Sequence, residues 1–72
     1  MLEKAIVHEE PIEIAVKRLA EFFRILSNPR RILIIEELRD GEKDVSSLAS
    51  ALRLQQSAVS QHVAVLRAYK LI

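Results

Sequence analysis

The sequence predicts an all-α domain of four helices built around a helix-turn-helix. Three observations carry that expectation. Half of the 72 residues are apolar and only one is glycine, which an all-helical domain accounts for most simply. Apolar residues recur at helical spacing in segments separated by proline, asparagine, glycine and aspartate. Finally, Leu48 to Leu71 reads as a short helix, a brief break and a second helix opening with the small and amide side chains Gln55-Gln56-Ser57-Ala58.

Residues 1–10 have weak periodicity and read as a flexible lead-in, and residues 11–72 as the folded domain. Pro11 suits the first turn of a helix, where its missing N–H is no loss. The first helix then runs to about Leu26, with Ile12, Ala15, Val16, Leu19, Phe23 and Leu26 on one face. Ile14 and Ile25 fall roughly opposite, with Phe22 between. A helix apolar on two sides is buried on two sides, so Ile14, Phe22 and Ile25 are expected to face a second subunit. Ser27-Asn28-Pro29 is a stop and restart, with Asn28 as cap and Pro29 at the first helical position. The second helix runs to Leu38 or Arg39 with Ile32, Ile35 and Leu38 inward, and ends near Gly41, a candidate left-handed terminator. Asp44 can cap a third helix from about Val45 to Leu52, with Leu48, Ala49 and Leu52 inward. Arg53-Leu54 makes the turn, and the fourth helix runs from about Gln56 to Tyr69 on an inner stripe of Val59, Val63 and Leu66. Leu71-Ile72 reads as the start of a strand.

Length and composition bound what such a domain does. A chain this short buries only about 60% of the surface its unfolded form exposes. With no cysteine, disulfides cannot compensate and no thiolate can bind metal or attack a substrate. The high apolar share points to a core shared with a partner subunit, the other account being an ordinary Leu/Ile-rich bundle. Net charge is only +1, but Glu3, Glu9, Glu10 and Glu13 crowd the start, while Val45 to Ile72 holds no acidic residue and carries Arg53, Arg67 and Lys70. A polyanion would meet that second half favourably. There is no signal pattern and no apolar run long enough to span a bilayer, so a cytoplasmic protein without membrane contact is expected. No Gly-rich phosphate loop, paired catalytic carboxylates or Ser/His/Asp set occurs, so neither an enzyme nor a cofactor is implied. His62 lies on the inward side, three residues after Val59, and is expected to be packed and hydrogen-bonded; His8 stands alone in the lead-in. Neither has ligand-spaced neighbours, so no metal site is expected. Tyr69 is expected to pack at its helix end.

The constellation Leu48, Ala49, Leu52, Leu54, Val59 has helix-turn-helix spacing: Ala49 is small where the helices cross, Leu54 plugs the corner, and Val59 packs back. Together with Leu26-Ser27-Asn28-Pro29, Arg31 and Ile32, then Ser57-Ala58-Val59-Ser60-Gln61-His62 followed by Leu66-Arg67, it makes residues 19–72 resemble the ArsR/SmtB family of small dimeric winged-helix repressors. Three departures stand out. Arg53 holds a turn position usually given to glycine, so the turn there is either left-handed at about 1 kcal/mol or has negative φ. Asp44 and Ser46 stand where the family's metal sensors carry a cysteine pair. The chain also ends at Ile72, where the family's β-hairpin wing would begin, so the domain is expected to be truncated before the wing, and to be winged-helix α+β if that hairpin is counted.

The resemblance implies a homodimeric repressor of transcription that binds an imperfect palindrome in double-stranded DNA. The fourth helix would lie in the major groove and present Gln56, Ser57, Ser60 and Gln61 to base edges, with Ala64 and Ala68 short enough to let it sit deep. Phosphates would be met by Ser46 and Ser47 at a helix N-terminus, by Arg31 and by Arg67. Capping is the other use for the two serines, and an ion pair with Glu36 or Asp40 the other use for Arg31. Two alternatives stand beside this reading: a protein-interaction module of the same fold without DNA binding, and a repressor answering to a metal or small molecule at a site beyond Ile72.

Overall fold

The computed structural model describes residues 11–72, in which four helices follow one another: α1 (Ile12–Leu26), α2 (Pro29–Glu37), α3 (Val45–Leu52) and α4 (Gln56–Ala68). The expected lead-in, with His8, lies outside the described residues. No strand occurs among the described residues, and none of their helices is long and apolar enough to cross a membrane.

Local chemistry sets the helix starts. The Asn28 side chain accepts from the Arg30 and Arg31 amides at 3.0 and 3.3 Å, and Pro29 opens α2. Two amides that a helix N-terminus leaves unpaired are thereby satisfied. Asp44 does the same for α3, accepting from the Ser47 amide at 2.7 Å, and that bond holds its carboxyl below the usual carboxylate range. Pro11 stands one position outside α1 rather than in its first turn. Its carbonyl accepts from the Ile14 and Ala15 amides at 3.0 and 3.1 Å. Gly41 has φ 147°, open to glycine but away from the left-handed helical well, because α2 has already stopped at Leu38.

The two helices of the helix-turn-helix end alike. Arg53 is left-handed, with φ 57° and ψ 46°, and Lys70 has φ 57°. Past each of them the chain folds back. The Leu54 amide donates to the Ala49 carbonyl at 3.0 Å and the Leu71 amide to the Leu66 carbonyl at 2.9 Å. Both leucines then pack against the core. Leu71, expected with Ile72 to begin a strand, closes α4 through its bond to Leu66. Left-handed backbone costs a residue with a Cβ about 1 kcal/mol that glycine avoids, so at high salt Arg53→Gly and Lys70→Gly should each stabilise the chain by up to about 1 kcal/mol, read as a raised urea midpoint with the slope of the transition unchanged.

Among the described residues seven form the core: Ile25, Ile34, Leu48, Ala49, Val59, Val63 and Leu66. Helix α4 runs through its centre, packed on α3 and α2. In α2 the buried stripe is Ile34 with half-buried Arg31, Ile35 and Leu38, while Ile32, expected inward, is exposed. The four consecutive apolar residues Ile32 to Ile35 leave the phase of the stripe open in sequence, and packing on α4 selects Ile34. The face of α1 expected in the core is also outside. Ile12, Val16, Leu19 and Phe23 are more than half exposed, whereas Ile25, expected at a subunit interface, is 2% exposed within this chain's own core. The reason is that α1 contributes to the core through its last turn, and residues 12–20 are exposed apart from half-buried Ala15.

Candidate nucleic-acid interface

The site is assembled by the crossing of α3 and α4. Ala49, 5% exposed, keeps the crossing close, and Leu54, half-buried, fills the corner after the left-handed Arg53. Val59 and Leu66, fully buried, and Val63, nearly so, fix the rotation of α4 about its axis. That rotation turns Gln56, Ser57, Ser60, Gln61, Ala64, Arg67 and Ala68 to the outside, and all seven are exposed. They form one stripe at helical spacing.

The stripe is uncharged until Arg67, in the last turn of α4. The side chains of Gln56, Ser57, Ser60 and Gln61 make no hydrogen bond to any described residue, so their donors and acceptors are directed to solvent. Two amides and two hydroxyls within two turns, flanked by alanines, offer paired donor–acceptor groups close to the helix axis. That is the chemistry for reading base edges, where an amide can bond adenine bidentately. Gln55 precedes α4 without a side-chain cap, so the first amides of the helix are likewise open to solvent.

The residues expected at phosphates fare differently. Arg67 is exposed at the far end of the stripe. Ser46 and Ser47 are exposed at the start of α3, but the Ser47 amide is already taken by the Asp44 carboxylate. What remains for an anion there are the two hydroxyls, beside a negative charge. Arg31 is turned inward. Its Nε donates to His62 Nδ1 at 3.2 Å and its Nη1 to the Ile25 carbonyl at 3.3 Å. It therefore joins the end of α1, the start of α2 and the middle of α4, and pairs with neither Glu36 nor Asp40. Glu36 instead meets Arg39 at 3.1 Å. His62 is packed and hydrogen-bonded, as its position predicts, with Nδ1 accepting. Burial, with the Arg31 and Arg30 charges nearby, holds it below the usual imidazole range.

A second surface lies on the face of α1 that was expected in the core. Ile12, Val16, Leu19 and Phe23 follow one another every three or four residues down α1 and are 72%, 55%, 55% and 59% exposed. Ile14, 43% exposed, lies on the opposite side of α1, where it lines a shallow groove with half-buried Phe22 and Tyr69. Tyr69 packs at the end of α4, and its hydroxyl donates to Glu21 Oε2 at 3.0 Å. Glu21 also holds Arg24, and the two partners keep its carboxyl below the usual range. This pair ties α1 to the end of α4.

The family model described as bacterial regulatory protein, arsR family, matches residues 28–72, which takes in α2, α3 and α4. The nodulation protein NolR of Rhizobium meliloti is 43% identical over 53 residues, covering 74% of this chain and 43% of that protein. A transcriptional repressor SmtB homologue of Synechocystis is 36% identical over 56 residues, covering 78% of this chain and 42% of that protein. The transcriptional activator HlyU of Vibrio cholerae is 48% identical over 44 residues, covering 61% of this chain and 41% of that protein. The chain thus spans less than half the length of the curated relatives it matches. No solved structure gave a significant match.

Proposed function

The chain belongs to the arsR family of bacterial regulatory proteins, and on that premise we propose that residues 11–72 form the DNA-binding domain of a transcriptional regulator acting in the cytoplasm. It is a homodimeric repressor that reads an imperfect palindrome in double-stranded DNA. Helix α4 enters the major groove, and two copies address half-sites about one helical turn apart. One observation supports this reading above the others. The exposed stripe of α4 is uncharged and rich in hydrogen-bonding groups in a chain with 29% charged residues, and it is held in register by the fully buried Val59. A merely solvated helix face would carry Glu and Lys.

Gln56, Ser57, Ser60 and Gln61 contact base edges. Arg67 and the Ser46 and Ser47 hydroxyls contact phosphate, and Arg31, occupied within the fold, is left out of that set. The exposed stripe Ile12, Val16, Leu19 and Phe23 joins the two subunits, while Ile14 faces the other side of α1 beside Phe22 and Tyr69. Ile25 is left out because it is buried in its own chain. A dimer lying across the groove blocks other proteins from the same duplex, and repression needs nothing more.

Selection of bound duplexes from a random pool tests this directly, and the absence of any enriched sequence would overturn it. On an enriched duplex, Gln56→Ala and Gln61→Ala should each lose about 1–3 kcal/mol of discrimination at one or two base positions. Arg67→Ala should weaken enriched and scrambled duplexes alike and reduce the dependence of affinity on salt by roughly one phosphate contact. Equal losses on both duplexes for the two glutamine variants would remove direct readout by α4.

A further inference from the structure

The Arg31–His62 contact lies behind the reading face and is not absorbed by any contact to DNA. Arg31 sits at the first turn of α2 and uses separate nitrogens for two partners. One is Nδ1 of His62, on the inner side of α4 and one residue after Gln61; the other is the carbonyl of Ile25, in the last turn of α1. Ile25 is itself in the core, two residues after the last member of the exposed α1 stripe. The guanidinium is therefore a link between the helix that carries that stripe and the helix that carries the base-reading residues.

We propose that Arg31 is a positioning residue for DNA reading, clasping α4 to the end of α1 through His62, and that the clasp holds only while His62 Nδ1 is an unprotonated acceptor. The inference rests on the DNA-binding reading for its consequence, though not for the clasp itself. Protonation would replace the hydrogen bond with two cations facing one another. The charged groups facing His62 are Arg31 and Arg30, both from α2. Helix α3, packed against α4, carries no charged residue, and α1 meets this corner through the Ile25 carbonyl. No carboxylate on these elements is therefore in place to absorb the new charge. The folded chain holds this proton less tightly than the unfolded chain does. The contribution to stability is complete above the ordinary imidazole pKa of about 6.5 and is lost as pH falls from there toward the depressed folded value.

The test compares the full chain and its variants on an enriched and a scrambled duplex at about pH 7.5 and at a pH below the ordinary imidazole value, low enough for imidazole nitrogen NMR to show His62 protonated. Wild type is expected to lose roughly tenfold in affinity for the enriched duplex at the lower pH, the worth of one hydrogen bond from a charged donor. The scrambled duplex should not follow, since an added positive charge favours phosphate. His62→Gln, whose Oε1 accepts from Arg31 at either pH, should keep the affinity and lose the pH response. Arg31→Ala should bind weakly at both. Arg31→Lys, with one nitrogen in place of two, should not restore binding. The same pH response in wild type and His62→Gln, or wild-type reading by Arg31→Ala, would overturn the proposal. Imidazole nitrogen NMR separates this outcome from failure of the DNA reading. If no duplex is bound at either pH, an unprotonated Nδ1 whose titration moves upward in Arg31→Ala still supports the clasp, and a titration indifferent to Arg31 removes it.

Discussion

Leu66→Ala is expected to remove a large share of the stability of the fold. Leu66 is fully buried on α4 and is one of seven core residues among those described. Removing a buried leucine beyond its β-carbon costs about 3–5 kcal/mol, the lost transfer energy together with the cavity left behind. A domain of this length has a total stability of about 4–10 kcal/mol. The loss is therefore a large share of the whole. Leu66 also supplies the carbonyl that accepts from the Leu71 amide and so anchors the end of α4. That bond uses the backbone and survives the substitution, so the effect isolates packing. Urea or thermal unfolding followed by far-UV circular dichroism measures it. A change under about 1 kcal/mol would mean that the core readily collapses around the vacancy, contrary to the close packing ordinary for buried leucines.

Phe23→Glu should have the opposite profile, with little change in helix content and a large change in assembly. Phe23 is 59% exposed and belongs to a stripe that the described residues leave uncovered. A carboxylate there is harmless to a lone subunit and is desolvated without a partner in a joined pair. Losing an aromatic anchor at an interface costs about 2–4 kcal/mol. The substitution should shift the chain from dimer to monomer in sedimentation. It should also lower affinity for a two-half-site duplex by at least about a hundredfold, the equivalent of about 2.7 kcal/mol. Affinity for a single half-site should stay close to that of wild type. Unchanged mass and unchanged two-site affinity would place the subunit contact elsewhere.

Much of this fold is legible in the sequence because much of it is decided locally. Asn28 and Asp44 act on amides two or three residues away, and their roles follow from residue type and position. The two sides of α4 are equally readable. Its apolar positions Val59, Val63 and Leu66 and its polar positions Gln56, Ser57, Ser60 and Gln61 separate cleanly, leaving one choice of phase. Helices α1 and α2 offer no such choice. Phe22, Phe23, Ile25 and Leu26 in one and Ile32 to Ile35 in the other are near-continuous apolar runs, from which either of two faces can be drawn. Tertiary packing decides between them, and it decides for Ile25 and Ile34. The Arg31–His62 contact joins residues 31 apart and has no local signature. Its only trace in sequence is that each residue shares a helix face with a buried neighbour, Arg31 with Ile34 and His62 with Val59. The backbone at Arg53 was open for another reason. Arginine tolerates negative φ freely, and only the fold-back of Leu54 onto Ala49 requires the other sign.

That left-handed pair, Arg53 and Lys70, has a consequence for how its strain is tolerated. Each places a cation at the C-terminal end of a helix, where the aligned peptide dipoles leave about half a negative charge. The attraction offsets part of the conformational cost, by about 0.3–1 kcal/mol at low ionic strength. Dissolved ions weaken the attraction and leave the torsional cost untouched. Glycine at either position should therefore be nearly neutral in dilute buffer and clearly favourable in concentrated electrolyte, which makes these two residues a counterpoise whose balance is set by the medium.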